Sequence, residues 1–258
     1  MTFVAIGVAI LFTLIAAIYS SVGLAGGSSY LAVLAWLDLP PDEIRWYANL
    51  CNLTVSFGSL FVMIRRGLMP WRFLIPMCAV SMPLAFGMAK FTLTQSVFLT
   101  LLSGCLGLAS FGLLFAPLSH DGRDISAMRL ISQIGLAIMF GVPIGALAGL
   151  TGIGGGIYLS PALQLLRIGK TTQVACLCSG LIFLNSLAVF SSRLQMWHPD
   201  LTVVLQSVGL ALCVGVGGQI GVFLLTKKFS SKPIRRITGV LILVVAIQLA
   251  YRAYSASP

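Results

Sequence analysis

Between Arg129 and Arg167 the chain carries no charged residue, and one motif interrupts that apolar run: Thr151-Gly152-Ile153-Gly154-Gly155-Gly156. Glycine inside a helix costs roughly 1 kcal/mol relative to alanine. Four glycines within five positions therefore mark a built-in helix break. A fainter copy, Gly23-Leu24-Ala25-Gly26-Gly27, interrupts a second apolar run near the start. As one straight helix, Phe3 to Leu37 would reach about 52 Å, far beyond a hydrocarbon core of roughly 30 Å. A break at membrane depth frees backbone N–H and C=O groups that lipid cannot satisfy. It must be buried in protein or line a wet cavity.

The setting is a membrane because 58% of the 258 residues are hydrophobic and only 9% are charged, against about 25% charged in soluble domains. Strand-length alternation with turn signals is missing, which argues against a β-barrel. The net charge of +10 does not indicate nucleic acid: basic residues between apolar spans act as topology signals. Cysteines 51, 78, 105, 176, 178 and 213 all fall in apolar segments. There they behave as small hydrophobes rather than a disulfide framework. Met1 to Ile18 lacks a basic leader and reads as a retained first helix.

The segments follow one order twice. Phe3 to Val22 leads to the first break and a short arm, Ser28 to Leu37, then to spans at Trp46 to Ile64, Phe73 to Ala89 and Ser96 to Leu118. After a linker beginning SHDGRD, Arg129 to Leu150 leads to the second break and a short arm, Ile157 to Leu166. Spans at Thr172 to Ser192, Leu201 to Thr226 and Ile234 to Tyr251 follow. The breaks align at an offset of 129, Leu50-Cys51-Asn52 aligns with Leu177-Cys178-Ser179, and Ser59-Leu60 falls on Ser186-Leu187. These matches divide the chain into repeats at 1–118 and 129–258 joined by a linker at 119–128. Internal repeats in a membrane chain point toward a transporter fold.

Basic residues choose the topology. If each broken segment crossed the membrane once, the sixteen Lys and Arg residues would divide almost evenly between the two sides. If each enters and returns, one side holds Arg65, Arg66, Arg72, Arg123, Arg129, Arg167, Lys170, Lys227, Lys228, Lys232, Arg235 and Arg236. Only Arg45, Lys90, Arg193 and Arg252 face the other. The second arrangement satisfies the positive-inside tendency. The expected fold is thus an all-α polytopic membrane protein of two inverted repeats, each a glycine-broken re-entrant helix pair plus three transmembrane helices.

Each short arm points its N-terminus at its break, where free N–H groups and the helix dipole attract an anion. Glycine admits close approach to the backbone. The competing reading is that the glycines serve only close helix packing. In this context GxxGxGGG followed by a Pro-Ala-Leu-type segment, as in GALAGLTGIGGGIYLSPAL, resembles the signature of the sulfite exporter TauE/SafE family of toluenesulfonate-uptake-permease-type membrane proteins. Ala25 and Ser28-Ser29 depart from the family pattern, which bears on substrate rather than fold. The resemblance implies a multi-pass protein of the bacterial inner membrane. Its expected substrates are small sulfur-containing anions such as sulfite, sulfoacetate or other organosulfonates.

Candidate substrate ligands are the backbone of Gly26, Gly27, Gly154, Gly155 and Gly156 and the hydroxyls of Ser20, Ser21, Ser28, Ser29, Thr151 and Tyr158. Hydroxyls also bond their own helix backbone. Asn49, Asn52, Ser179 and Asn185 are costly in lipid and must face the bundle interior, as interhelical glue or as pocket lining. Gln133, Gln206 and Gln219 lean toward glue. Arg66 and Arg193 occupy corresponding span ends and read as topology or headgroup charges, with an anion-attracting entry charge as the alternative. His120 and His198 are expected in loops. All six carboxylates (Asp38, Asp42, Glu43, Asp121, Asp124, Asp200) are also expected in loops, so no mid-span acid relays protons. No phosphate loop, buried catalytic set or metal-ligand cluster is visible, so neither a cofactor nor an enzyme is expected. The partners are a small anion, the bilayer and, as one coupling option, a co-transported proton. The rival function is a non-transporting assembly or scaffold subunit.

Overall fold

The computed structural model describes residues 2–35, 37, 39–91, 93–115, 123–226 and 231–255. Asp38, His120, Asp121, Lys227, Lys228 and the start of the linker, 119–122, lie outside that set. The described residues form helices α1 (Thr2–Ser20), α2 (Gly27–Ala35), α3 (Pro41–Arg65), α4 (Trp71–Met88) and α5 (Gln95–Phe115). A 3-10 turn at Ile125–Ala127 precedes α6 (Leu130–Thr151), α7 (Gly156–Leu165), α8 (Thr171–Leu194), α9 (Leu201–Thr226) and α10 (Ser231–Ser255). There is no strand among them, as expected. Five helices, α3, α4, α6, α8 and α9, are long and apolar enough to cross a membrane. Their outer faces stay apolar: Ile131, Leu201 and Leu212 are largely exposed, the pattern of side chains that meet lipid.

The largest boundary difference is at α3, which starts five residues before Trp46. Pro41 in the first turn pre-sets the helical φ and has no N–H to leave unpaired, while Asp42 and Glu43 complement the positive end of the dipole. Those two carboxylates are therefore helical, not loop residues.

Helices α3 and α8 pack on each other at the centre. Outside them α9 packs on α1 and α3, α6 and α8 pack on α4, and α5 packs on α10. Exchanging α1–α5 for α6–α10 maps these pairings onto themselves: α1 with α9 becomes α6 with α4, and α2 with α10 becomes α7 with α5. Two of the pairs rest on glycine stripes. A Cβ on Gly145 would lie 2.5 Å from the Ser81 carbonyl oxygen, and one on Gly217 would lie 2.2 Å from that of Thr13. Small residues here let whole helices approach.

The chain ahead of α6 touches the chain after α7. Arg123 N–H donates to Arg167 O at 3.0 Å, and Gly169 N–H donates back to Arg123 O at 2.9 Å. Asp124 fastens this junction. It accepts from Lys170 Nζ at 2.8 Å, from Gln173 Nε2 at 2.7 Å and from Ser126 N–H at 3.0 Å. Lys170 first, then Gln173 and Ser126, hold its carboxyl well below the usual carboxylate range. At the other end of the molecule Arg193 of α8 pairs with Asp42 of α3 at 2.6 Å. There too Arg252, near the end of α10, donates to the Ala35 carbonyl that closes α2.

Candidate functional site

Both glycine clusters break the helix by entering the left-handed region. In the first, Gly23 and Gly26 have φ of 81° and 90°; in the second, Gly152, Gly154 and Gly155 have 78°, 76° and 89°. Ala25 aligns with Gly154 yet keeps a negative φ, since Arg167 is the sole described non-glycine with a positive one. This explains how the first break tolerates an alanine: it turns on two left-handed residues instead of three.

Each break is gripped by the long central helix of the opposite half. Asn52 Nδ2 on α3 donates to Ile153 O at 3.3 Å, and Ser179 Oγ on α8 donates to Gly23 O at 3.1 Å. Asn52 and Ser179 are the aligned pair of the two halves. Asn185 Nδ2 donates to Gly154 O at 3.3 Å, while its Oδ1 accepts from Ser81 Oγ at 2.8 Å. Asn49 Nδ2 donates to Ser186 O at 3.2 Å, joining α3 to α8. The carbonyls freed by the turns are thus satisfied by amides and hydroxyls placed at helical spacing on one face of each central helix.

The two breaks meet in one cavity. Gly26, Gly27 and Ser28 line it from the first half and Ile153 from the second, with Asn52 between them. It has room for about one water-sized sphere. Ser28 Oγ and Asn52 Oδ1 are buried there without a hydrogen-bond partner. A Cβ on Gly27 would stand 2.1 Å from Asn52 Nδ2, so a larger residue there must displace the Asn52 amide. The N-terminus of α2 opens onto this space.

The other candidates separate into groups. Ser20 is buried without a partner nearby in α1. Ser29 bonds Tyr19 at 2.6 Å. Ser21, just past α1, donates to Ile18 O at 2.5 Å. Thr151 donates to Leu147 O at 2.6 Å and meets Tyr158 at 3.4 Å, outside the residues that line the cavity. Gly155 and Gly156 pack on Ile144 and Ile182. Among the amides expected as glue, Gln133 donates to Ile125 O and Met128 O and Gln206 accepts from Tyr47 at 2.8 Å. Arg66 and Arg193 do not share an environment: Arg66 is exposed and Arg193 is buried in its ion pair. His198 is exposed in a loop. Cys51, Cys78, Cys176 and Cys178 are buried free thiols.

Tyr19, Ile153 and Ser186 belong to the same neighbourhood and escaped the sequence reading. Ser186 had a signal, its alignment with Ser59. Tyr19 had none, because a tyrosine at the end of an apolar helix also suits the membrane interface.

The family model of the sulfite exporter TauE/SafE matches residues 8–249. The chain belongs to the sulfite exporter TauE/SafE family. It is a multi-pass membrane transporter of that family and not an enzyme. It is 27% identical over 249 residues to a probable membrane transporter protein, y4hK, of Sinorhizobium fredii, covering 96% of this chain and 98% of the relative. It is 29% identical over 120 residues to a probable membrane transporter protein, YunE, of Bacillus subtilis, covering 46% of this chain and 42% of that one. No solved structure matches it significantly. As a TauE/SafE transporter it handles a small anion and sits in a bilayer.

Proposed function

We propose that this TauE/SafE protein is an inner-membrane secondary transporter, acting as an exporter, of small sulfur-containing anions such as sulfite, sulfoacetate or other organosulfonates. The anion is held where the two glycine breaks meet. The observation that carries this is the shared cavity, with its unpartnered Ser28 hydroxyl, the open N-terminus of α2 and the free Asn52 Oδ1. Ser28 and the first amides of α2 donate to anionic oxygens. Asn52 Oδ1 accepts, and so suits an anion that carries its own O–H. Bisulfite is such a species. A proton would then travel on the substrate, which fits a chain whose described carboxylates, Asp42, Glu43, Asp124 and Asp200, lie at helix ends and in loops.

The cavity is too small for a sulfonate, so transport requires the halves to part, with α3 and α8 as the central contact that rocks. Reconstituted in liposomes, the protein is expected to support sulfite or organosulfonate counterflow well above empty vesicles. A folded wild type with no flux of any such anion would favour the scaffold reading.

The re-entrant, inverted arrangement is part of this proposal. It draws support from the junction of Arg123 with Arg167 and Gly169, which returns α7 to the side where α6 began, and from the self-mapping helix pairs. Cysteines introduced singly at Arg123 and Arg167 are expected to react with an impermeant maleimide from the same side, and cysteines at Lys90 and Gln195 from the opposite one. Labelling of the first pair from opposite sides would remove the re-entrant arm.

A further inference from the structure

A second cavity lies at the end of α8, beside the start of α3. Asp42, Arg45, Trp46 and Asn49 of α3 line it, facing Arg193 of α8 and Trp197 beyond its end. Arg45 is only 4% exposed and Arg193 only 8%. A buried guanidinium normally has an acceptor for each N–H, because an unsatisfied charged donor is among the costliest buried groups. Here the Nε and Nη2 of Arg45 and the Nε of Arg193 have none. Arg45 rests on the Phe98 ring, 4.4 Å from its centroid, which steadies the cation without supplying an oxygen. Arg193 spends one N–H on Asp42 at 2.6 Å. The charged groups lining the cavity are these two arginines and one aspartate, which leaves one positive charge unmatched.

We infer that this cavity is a separate binding site for a small oxyanion of one net negative charge, held between Arg45 and Arg193 at the mouth of the transporter. Planar guanidinium forks suit the paired oxygens of a sulfonate or a bisulfite. Asp42 is the internal competitor: it occupies Arg193 when the site is empty and yields when an anion enters. Asn49 follows Arg45 by one helical turn and Gly152 of the second break also lines the space, so the site leads toward the glycine breaks. A Cβ on Gly152 would meet nothing within 4 Å. The device belongs to one end of the molecule only. The position aligned with Arg45 in the second half is Thr172, and Arg66, aligned with Arg193, is exposed. The choice of a sulfonate as ligand rests on the transport reading above; the unpaired guanidinium groups do not.

Trp46 and Trp197 report on the site. In full-length protein carrying Trp36→Phe and Trp71→Phe, methanesulfonate is expected to change their fluorescence saturably. Arg45→Gln should raise the apparent Kd at least tenfold. Asp42→Asn should lower it severalfold by removing the competing carboxylate, an opposite sign that no general loosening of the fold produces. A folded Arg45→Gln protein with unchanged Kd, or an Asp42→Asn protein that binds more weakly, overturns the inference. Should Arg45→Gln fail to fold, Arg45→Lys, which keeps the charge without the fork, takes its place with the same expectation. Arg45-dependent binding in a protein without flux would support this site while removing the transport reading. Flux that persists with no Arg45-dependent binding would do the reverse.

Discussion

Gly155→Leu is expected to abolish anion flux in liposomes, by 100-fold or more, while leaving a protein that still purifies as a folded species. Gly155 sits at φ 89° at the N-cap of α7, where a residue with a Cβ costs about 1–2 kcal/mol in the backbone alone. Its Cβ would also lie 2.4 Å from Ile144 Cγ2 and 3.3 Å from Asn185 Nδ2. The side chain therefore pushes on the amide that holds Gly154, and the second break loses its shape. Gly152→Asn is the informative companion. Its φ is also left-handed, but asparagine tolerates that region and nothing stands within 4 Å of the added Cβ. Flux well above that of Gly155→Leu is expected there, because the left-handed turn is kept. If Gly155→Leu transports like the wild type, the breaks are not the permeation site.

Gly217→Leu should have the largest effect on stability. The added Cβ would come within 2.2 Å of the Thr13 carbonyl oxygen, and Gly221 one turn later stands under the same constraint against Ala17 O, at 2.3 Å. These neighbours are backbone, so no rotamer change relieves the clash and α1 must leave α9. Overpacking of this kind costs about 3 kcal/mol or more, enough to turn a monodisperse detergent peak into aggregate. Gly209 is on the same helix with nothing within 4 Å of its Cβ. Gly209→Leu should elute and melt like the wild type. Equal damage from both variants would mean that helix propensity, rather than the contact with α1, governs this position.

Much of the architecture was legible because membrane proteins declare themselves locally. An apolar stretch with charges at its ends has few ways to be placed, and the glycine clusters are costly enough in a helix that their breaks had to appear where they do. Asn49, Asn52, Ser179 and Asn185 stood out for the same reason, as polar groups that lipid would not accept. The reading went astray where a residue has two local roles. Asp42 and Glu43 are expected in a loop, yet Pro41 just before them starts α3. Thr151 and Ser21 each donate to a carbonyl about one turn earlier in the chain.

The sequence by itself determined that the chain breaks two apolar helices in matched places, because glycine acts through the backbone without reference to distant neighbours. Only the tertiary structure decided which glycines turn and which pack: Gly155 and Gly217 are alike in composition and differ in φ and in what a Cβ would strike. It also decided that Asn52 holds the opposite break and that Arg45 is buried beside Arg193. Those contacts join residues more than a hundred positions apart. They depend on which helix faces meet, and no local propensity encodes that.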